Sequence, residues 1–254
     1  MEDVEYRKMF TYEDSHWWFR GKRAVLARIL ERFAPRPGGL TSLDVGCGTG
    51  ANLRLLARWG AAHGADIHPL ALALCRERGL ANLARASARA LPYADGRFDV
   101  VTLLDVLYHQ RVDDVDGVLR EAWRVCRPGG LLVVTDAAFE ALKGPHDVAY
   151  HGARRFRRGA LARQVDEAGF EVLRRAYMNS LLFPVALAVR VSERLRFGRS
   201  AARSSLARPS PPLNWLLGAV YGLEARLVSR WTFLFGLSVL VVARRPTENS
   251  APRT

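Results

Sequence analysis

Small residues and carboxylates that could contact a ligand follow directly after apolar runs. The segment LDVGCGTG, residues 43–50, has glycines at alternate positions, and Asp44 stands two places before the first of them. Glycine lets a backbone turn tightly from a strand into a helix and approach a ligand closely. Asp66 follows the next apolar run, 22 residues after Asp44, where a carboxylate can accept hydrogen bonds from ribose hydroxyls or cap the next helix. We favour the ribose role, which predicts a ligand that contains a nucleoside.

The acid beside the glycine loop separates two ligand classes. Read loosely, GCGTGA at residues 46–51 also matches the dinucleotide pattern. In a dinucleotide site the loop faces a pyrophosphate, which Asp44 would repel. S-adenosylmethionine has no phosphate and presents an ammonium and a sulfonium, so Asp44 favours this ligand, through direct contact or through water. The cofactor-binding candidates around the loop are Asp44, Gly46, Cys47, Gly48, Gly50, Asp66 and Ile67, with Ile67 against the adenine.

These residues need a framework that brings several strand ends together. Strand patterns at 40–46, 61–67, 81–87, 98–109, 129–137 and 170–178 alternate with helix patterns at 51–60, 69–79, 112–126 and 158–169. This alternation predicts an α/β fold with a parallel sheet covered by helices on both faces. It stops at residues 179–230, which read as two helices joined by a linker at 197–212, and it resumes with a strand pattern at 235–246.

At this point the sequence resembles the class I S-adenosylmethionine-dependent methyltransferases, in particular the small-molecule branch often called type 11. LDVGCGTG is similar to the first motif of that family, ADIHP to its ribose-binding acid, and ARALPYADGRFDVV to its adenine loop and fourth strand. LREAWRVCRPGGLLVVTD is similar to the helix, turn and fifth strand. The resemblance covers roughly residues 40–178 and 236–244. It implies S-adenosyl-L-methionine as cofactor and a Rossmann-like, seven-stranded, mostly parallel sheet whose last strand is antiparallel.

The predicted organisation is a single methyltransferase domain over residues 1–254. Its parts are an N-terminal lid and helix at 1–34, a cofactor-binding core at 40–178, a helical cap at 179–230, a final strand at 231–245 and a tail at 246–254. In the adenine loop the family usually has an acid where this chain has Ser87. A serine accepts the adenine amino group more weakly, and Ala88 offers its backbone N–H.

The aromatic segment HWWF, residues 16–19, has two interpretations. Either it staples the first helix onto the sheet, or Trp17 and its neighbours form a lid that shields a sulfonium and contacts it by cation–π attraction. The segment resembles one found ahead of the fold in a subset of bacterial methyltransferases. In such lids a basic residue can meet the methionine carboxylate of the cofactor, and Arg20 and Arg23 are the candidates.

Candidate catalytic residues follow the fourth predicted strand. Asp105, Tyr108 and His109 stand at its carboxyl end, where ligands bind in such sheets. His109 could take a proton from a hydroxyl or amine, or it could simply begin the next helix at the surface. His16 is the second candidate base, and Asp105 is also a candidate for cofactor binding. The segment DVLY lacks the prolines that enzymes methylating base amino groups usually carry, so no nucleic-acid substrate is expected.

Composition bounds the remaining alternatives. The formal net charge is +13, carried almost wholly by arginine, and the three cysteines show no spacing typical of disulfides or of a metal site. The sequence shows neither a secretory signal nor 18 uninterrupted apolar residues, which predicts a cytoplasmic protein. The apolar stretches of 179–230 predict a cap over a lipophilic acceptor such as a polyketide, terpenoid or lipid-linked sugar. The same segment could also contact the inner face of the membrane. The alternative is that its two helices bury their apolar faces against each other or against a second subunit.

The sequence thus predicts transfer of a methyl group to oxygen of a small or lipophilic acceptor, in secondary metabolism or in glycan or lipid modification. Transfer to nitrogen or carbon on the same scaffold is the first alternative. An NAD-dependent oxidoreductase is disfavoured by Asp44. A non-catalytic binding protein of the same fold is disfavoured by the intact glycine loop and Asp66.

Overall fold

The computed structural model describes residues 2–34, 38–143, 150–188, 209–228 and 230–247. The helices in these ranges are α1 (Asp3–Tyr12), α2 (Trp17–Phe33), α3 (Ala51–Leu56), α4 (Pro69–Glu77), α5 (Val115–Val125), α6 (Arg158–Glu167) and α7 (Pro211–Val228). The strands are β1 (Leu40–Val45), β2 (Gly60–Asp66), β3 (Leu83–Arg85), β4 (Phe98–Leu104), β5 (Cys126–Ala137), β6 (Glu171–Met178) and β7 (Ser238–Arg244). Residues 183–188 are also helical.

The strands form one seven-stranded sheet in the order β3-β2-β1-β4-β5-β7-β6. Strands β1 to β5 pair in parallel, whereas β7 runs antiparallel to both of its neighbours. The central strands β4 and β5 are almost wholly buried, as expected for a parallel sheet covered on both faces. The predicted fold class is therefore confirmed, including the antiparallel last strand. Because β1, β2 and β4 are parallel neighbours, the segments that follow them meet at one edge.

An N-terminal helix that the sequence did not predict lies against this edge. Helix α1 packs on α4, where the Tyr6 ring stacks on His68 with centroids 4.5 Å apart. Tyr6 also forms a small apolar cluster with Ala71 and Leu74. The helix is only ten residues long, so its tertiary contacts rather than its own propensity hold it in place.

Helix α7 is more deeply embedded than a cap lying outside the core. Tyr221, Ala225 and Val228 are buried in the same apolar cluster as the inner face of α2. A Cβ atom on Gly21 would lie 2.0 Å from Cδ1 of Tyr221, so only glycine lets these two helices approach so closely. Most of the predicted linker, and the tail beyond residue 247, lie outside the described residues.

Candidate functional site

A cavity of about 660 Å³ lies at the edge where the parallel strands end. One end is walled by the glycine loop, the end of β2 and residues 86–88, and is covered by α1. The other end is walled by the start of α2, by residues 182–186 and by Leu217 of α7. Asp105 lies between these two groups of residues, since it pairs with Lys22 of α2 and adjoins Val106, which lies against Gly46. One cavity could therefore hold two ligands next to each other.

The glycine loop presents bare backbone to the cavity. Gly46 and Gly48 line it, with φ of 71° and 54°, in the region that favours glycine. A Cβ atom would lie 2.6 Å from Cγ2 of Val106 at Gly46, and 2.9 Å from Cε of Met9 at Gly48. Gly50 is not among the lining residues. It precedes α3, and its Cβ would lie 2.5 Å from Cδ1 of Leu80, so it serves packing.

Asp66 stands in the cavity wall and also fixes the loop. Its Oδ2 accepts from the backbone N–H of Gly48 at 2.9 Å, and its Oδ1 accepts from that of His68 at 2.8 Å. A carboxylate has about four acceptor positions, so two remain for a ligand. Burial raises the pKa of Asp66, and the two backbone donors oppose this shift. Ile67, the next residue, lines the cavity with 48% of its surface exposed.

Asp44 lies beneath the loop and is not among the lining residues. Its Oδ1 accepts from the Thr102 hydroxyl at 2.6 Å, while its Oδ2 is buried without a hydrogen-bond partner among the described residues. Burial raises the pKa of Asp44 to about 7, against which Thr102 and Asn52 act. Asn52 does line the cavity. Asp44 therefore does not border the cavity itself, and it could influence a ligand there only through neighbouring residues such as Asn52.

The remaining cofactor candidates on the sheet edge are brought together. Cys47, Ser87 and Ala88 line the same end of the cavity as Asp66. The Ser87 hydroxyl accepts from the backbone N–H of Arg89 at 3.3 Å, so part of its acceptor capacity serves its own loop.

A buried polar network holds the N-terminal segment over the glycine loop. The Glu13 carboxylate, which lines the cavity, accepts from the Thr49 hydroxyl and pairs with the Arg78 guanidinium at 2.7 Å. Arg78 also pairs with Asp14 at 2.7 Å and lies 4.3 Å from the centroid of the Phe10 ring. Sequence reasoning missed this network because its members lie far apart in the chain.

The HWWF segment serves both packing and the cavity. His16 caps α2, since its Nδ1 accepts from the backbone N–H of Trp18 at 3.2 Å. Trp17 and Trp18 line the cavity, and both rings also lie 6.1 Å from that of Tyr221 on α7. The aromatic segment therefore packs against α7 and also lines the cavity.

The two candidate arginines have different positions. Arg23 lines the cavity and donates to the backbone carbonyl of Glu13. Arg20 is exposed and is not among the lining residues. Of the two arginines, only Arg23 is therefore placed to meet a ligand carboxylate.

A lysine that sequence reasoning missed reaches the middle of the cavity. The Lys22 ammonium forms an ion pair with the Asp105 carboxylate and lies 5.0 Å from the centroid of the Trp18 ring. Asp105 has φ of 58°, a strained conformation for a residue with a side chain, and such strain is common at functional sites. The helical spacing of Trp18 and Lys22 could have indicated that the two residues share a face.

His109 and Tyr108 line the cavity beyond Asp105. Burial, together with the neighbouring His151 and Arg111, lowers the pKa of His109 to about 4, so the imidazole is neutral at pH 7. Its Nδ1 accepts from the backbone N–H of Arg111 at 3.1 Å. Below them the fully buried Asp136, also missed from the sequence, accepts from the backbone N–H of Tyr108 at 3.1 Å.

The far end of the cavity is apolar. The lining there consists largely of aliphatic side chains from β5, β7, α7 and the segment before it: Val133, Leu182, Val185, Ala186, Leu217, Leu237 and Leu240. Such a wall suits a lipophilic ligand, whereas the glycine-loop end suits a polar one.

Known proteins are similar to large parts of this chain. Residues 43–134 match the family described as "Methyltransferase domain". The chain is similar to the demethylmenaquinone methyltransferase of Tropheryma whipplei, with 38% identity over 128 residues, 49% of each chain. It is also similar to 24-methylenesterol C-methyltransferase 2 of Oryza sativa, with 30% identity over 195 residues, 68% of this chain and 51% of that protein. The chain spans about half the length of these curated relatives.

A solved structure has a similar fold over most of this chain. The [4+2]-cyclase SpnF aligns with a TM-score of 0.56 and 25% identity over 88% of this chain and 81% of its own. A fold alone does not fix the reaction. Here the glycine loop, the acid that ends β2, the antiparallel β7 and the matched family coincide in one chain. The chain contains a methyltransferase domain of the class I, S-adenosylmethionine-dependent type.

Proposed function

We propose that this protein transfers the methyl group of S-adenosylmethionine to a hydroxyl oxygen of a lipophilic acceptor. The observation that carries the proposal is the two-ended cavity, polar at the glycine loop and aliphatic at α7, with Asp105 and His109 between the ends. The names of two relatives refer to lipophilic compounds, a menaquinone precursor and a sterol.

The residues present fit the cofactor. Asp66 would accept from the ribose hydroxyls, and Ile67, Ser87 and Ala88 would surround the adenine. Arg23 would meet the carboxylate of the methionine moiety. The unpartnered Oδ2 of Asp44 suits a cationic ligand, reached through Asn52. When bound, S-adenosylmethionine supplies an electrophilic methyl group, so the protein has to position the acceptor, exclude water and accept a proton.

Two groups could accept the proton of the acceptor hydroxyl. His109 is neutral at pH 7 and lines the cavity. Asp105 lies closer to the glycine-loop end, and its partner Lys22 would stabilise the negative charge that develops on the oxygen. The Nδ1 atoms of His16 and His109 each accept a backbone N–H, from Trp18 and Arg111, so either ring would have to release that hydrogen bond or exchange its other ring proton to act as the base. Tyr108 would contribute to the acceptor wall.

Transfer to carbon is the second candidate. It is favoured by the relatives that are named C-methyltransferases, among them the sterol enzyme of Oryza sativa. An ionised hydroquinone is nucleophilic at oxygen and at the ring carbons beside it. The same proton-accepting residue would therefore serve either outcome, and acceptor orientation would decide between them.

The test uses S-adenosylmethionine with a ¹³C-labelled methyl group and short-chain naphthohydroquinones, with a water-soluble catechol as the polar comparison. We expect the label in the lipophilic product, and the NMR shift of the labelled carbon distinguishes an O-methyl from a C-methyl group. Leu217→Asn should lower kcat/KM about tenfold or more without changing cofactor affinity, because it places an amide in the aliphatic wall. Leu216→Asn, whose side chain is exposed, is the matched control. Preferential methylation of the catechol, or equal activity of the two variants, would contradict the proposal.

A further inference from the structure

Large apolar side chains are exposed together on one side of the molecule. Ten of them lie on residues 181–187, on α7 and on the segment after it, and we call this set the apolar surface: Leu181, Val185, Leu187, Leu213, Trp215, Leu216, Leu223, Trp231, Leu234 and Phe235. Trp215 and Trp231 have 72% and 69% of their surfaces exposed. Elsewhere in the described residues only Val4 and the cavity residue Ile67 belong to this class. Large apolar side chains exposed in such number on neighbouring segments indicate an interaction site.

Helix α7 carries large apolar side chains on its outer face as well as on its inner one. Its carboxylate, Glu224, points inward, where it accepts from the backbone N–H groups of Ser180 and Leu181 at 2.8 and 3.0 Å. Leu216 and Leu223, seven residues apart and therefore on one face, are exposed instead. A surface helix normally turns its charged residues to water. The outer face of α7 is therefore suited to an apolar environment.

The apolar surface is continuous with the apolar end of the cavity. Val185 belongs to both, since it lines the cavity and is also exposed. Leu217 of α7 lines the cavity beside the exposed Leu216. The rings of Phe183 and Phe235 lie 5.1 Å apart, which joins the segment before α7 to the segment after it. A ligand leaving the apolar end of the cavity would emerge at this surface.

Exposed arginines border the apolar surface. Arg226 and Arg230 lie at the end of α7, next to Trp231, and share a shallow groove with Arg28 and Arg32 of α2. Glu31 is the acid in the lining of that groove, and it pairs with Arg28 at 2.7 Å. Apolar residues next to clustered arginines suit an anionic lipid surface. Within the part of the chain that the structure describes, no helix is long and apolar enough to cross a membrane, so a docked helix would lie along the surface.

We infer that the apolar surface docks on an anionic lipid bilayer, with α7 along the interface and the apolar end of the cavity facing the lipid. A lipophilic acceptor then enters the cavity from the bilayer without passing through water. The entry route rests on the proposed function, whereas the docking itself does not.

The test is co-sedimentation of the full chain with vesicles of phosphatidylcholine alone and with added phosphatidylglycerol, without cofactor or acceptor. The parent should bind the anionic vesicles, and more weakly at high salt. Trp215→Ser with Trp231→Ser, and separately Arg226→Glu with Arg230→Glu, should each weaken binding about tenfold or more. Val4→Ser is the apolar control, and Arg120→Glu with Arg163→Glu makes the same charge change away from the surface. No binding by the parent at any salt, or equal binding by test and control variants, would overturn the inference.

Two further measurements test whether this chain or a second copy covers the apolar surface instead of lipid. Iodide should quench the fluorescence of Trp215 and Trp231 in the free parent, measured as the difference from the double Trp variant, and brominated lipid should quench it in the vesicle-bound parent. Tryptophans already protected from iodide without lipid would mean that the surface is covered by this chain or by a second copy, which contradicts the inference. So would a parent that sediments as a dimer when the double Trp variant is a monomer. Failed methyl transfer together with retained docking would reject only the proposed function.

Discussion

The two covers of the cavity differ in the contacts that chiefly hold them. The N-terminal segment is held over the glycine loop mainly by polar contacts, in which Glu13 and Asp14 share the Arg78 guanidinium. Helix α7 is held at the other end mainly by rings and aliphatic chains, with Tyr221 packed against Gly21 and the two tryptophans of α2. A polar cofactor needs fixed hydrogen-bonding groups, whereas a lipophilic acceptor needs a dry wall of suitable shape. The difference indicates that each cover is adapted to the ligand beneath it.

Replacing one side chain of the polar network should strongly destabilise the N-terminal cover. Arg78→Met leaves Glu13 buried without its cation, and removing one partner of a buried ion pair costs about 3–5 kcal/mol. We expect a loss of this size in the free energy of unfolding from urea titration, together with weaker cofactor binding. Arg120→Met removes an exposed arginine 3.6 Å from Asp114 and should change stability by less than about 0.5 kcal/mol. Equal losses in the two variants would show that the network does not hold the cover.

Asp44 should make the polar end sensitive to pH. Its pKa is about 7 in the folded chain against an ordinary 3.8, so between these values the folded state binds a proton that the unfolded state does not. Stability therefore falls as pH rises through this window, by at most about 4 kcal/mol. The neighbouring carboxylates Asp66 and Glu13 raise this pKa, and a bound cation would lower it.

The Asp44→Asn substitution should change the stability of the fold and the affinity for the cofactor in opposite directions. Without cofactor, the variant should unfold at higher urea than the parent at pH 8, and the difference should shrink at pH 5. Its affinity for S-adenosylmethionine should fall, because the countercharge is gone. A variant that is less stable than the parent at pH 8 would contradict the assignment.

Turnover measurements should identify which residue between the two ends of the cavity accepts the proton. If it is His109, His109→Ala lowers kcat by roughly 10²-fold and leaves cofactor affinity unchanged. In the parent the activity would then decline only as pH approaches about 4, where His109 becomes charged. Near-parental turnover of His109→Ala, with a large loss in Asp105→Asn, would move the role to the pair of Asp105 and Lys22.

The apolar cover should tolerate the loss of a polar atom. The Tyr221 hydroxyl is fully buried and has no hydrogen-bond partner among the described residues. An unsatisfied buried hydroxyl costs about 1–3 kcal/mol, so Tyr221→Phe should be neutral or stabilising by about 1 kcal/mol in thermal unfolding. Tyr221→Ala, which empties the space between α2 and α7, is the contrasting variant and should destabilise by about 3–5 kcal/mol. A large destabilisation by Tyr221→Phe would reveal a hydrogen bond that this account lacks.

The sequence predicted the parts of the molecule that are encoded locally. The strands β4 and β5 contain short apolar runs, the glycine loop follows β1, and Asp66 ends β2, so the order of elements was sufficient to bring the loop and Asp66 together. Helix α1 was missed because its position depends on α4, and Lys22 because its partner Asp105 is 83 residues away. Arg20 and Arg23 could not be separated, because the side of α2 that faces the cavity is set by its packing against α7.

The central claim is that the end of the cavity covered by α1 binds S-adenosylmethionine through Asp66, and calorimetric titration tests it most directly. The parent should bind one S-adenosylmethionine per chain and give no heat with NAD. Asp66→Ala should remain folded and lose about 1–3 kcal/mol of binding free energy, because the ribose hydroxyls lose a charged acceptor. Asp105→Asn, at the meeting point of the two ends, should lose less. Binding of NAD by the parent, or parental affinity in a folded Asp66→Ala variant, would contradict the account.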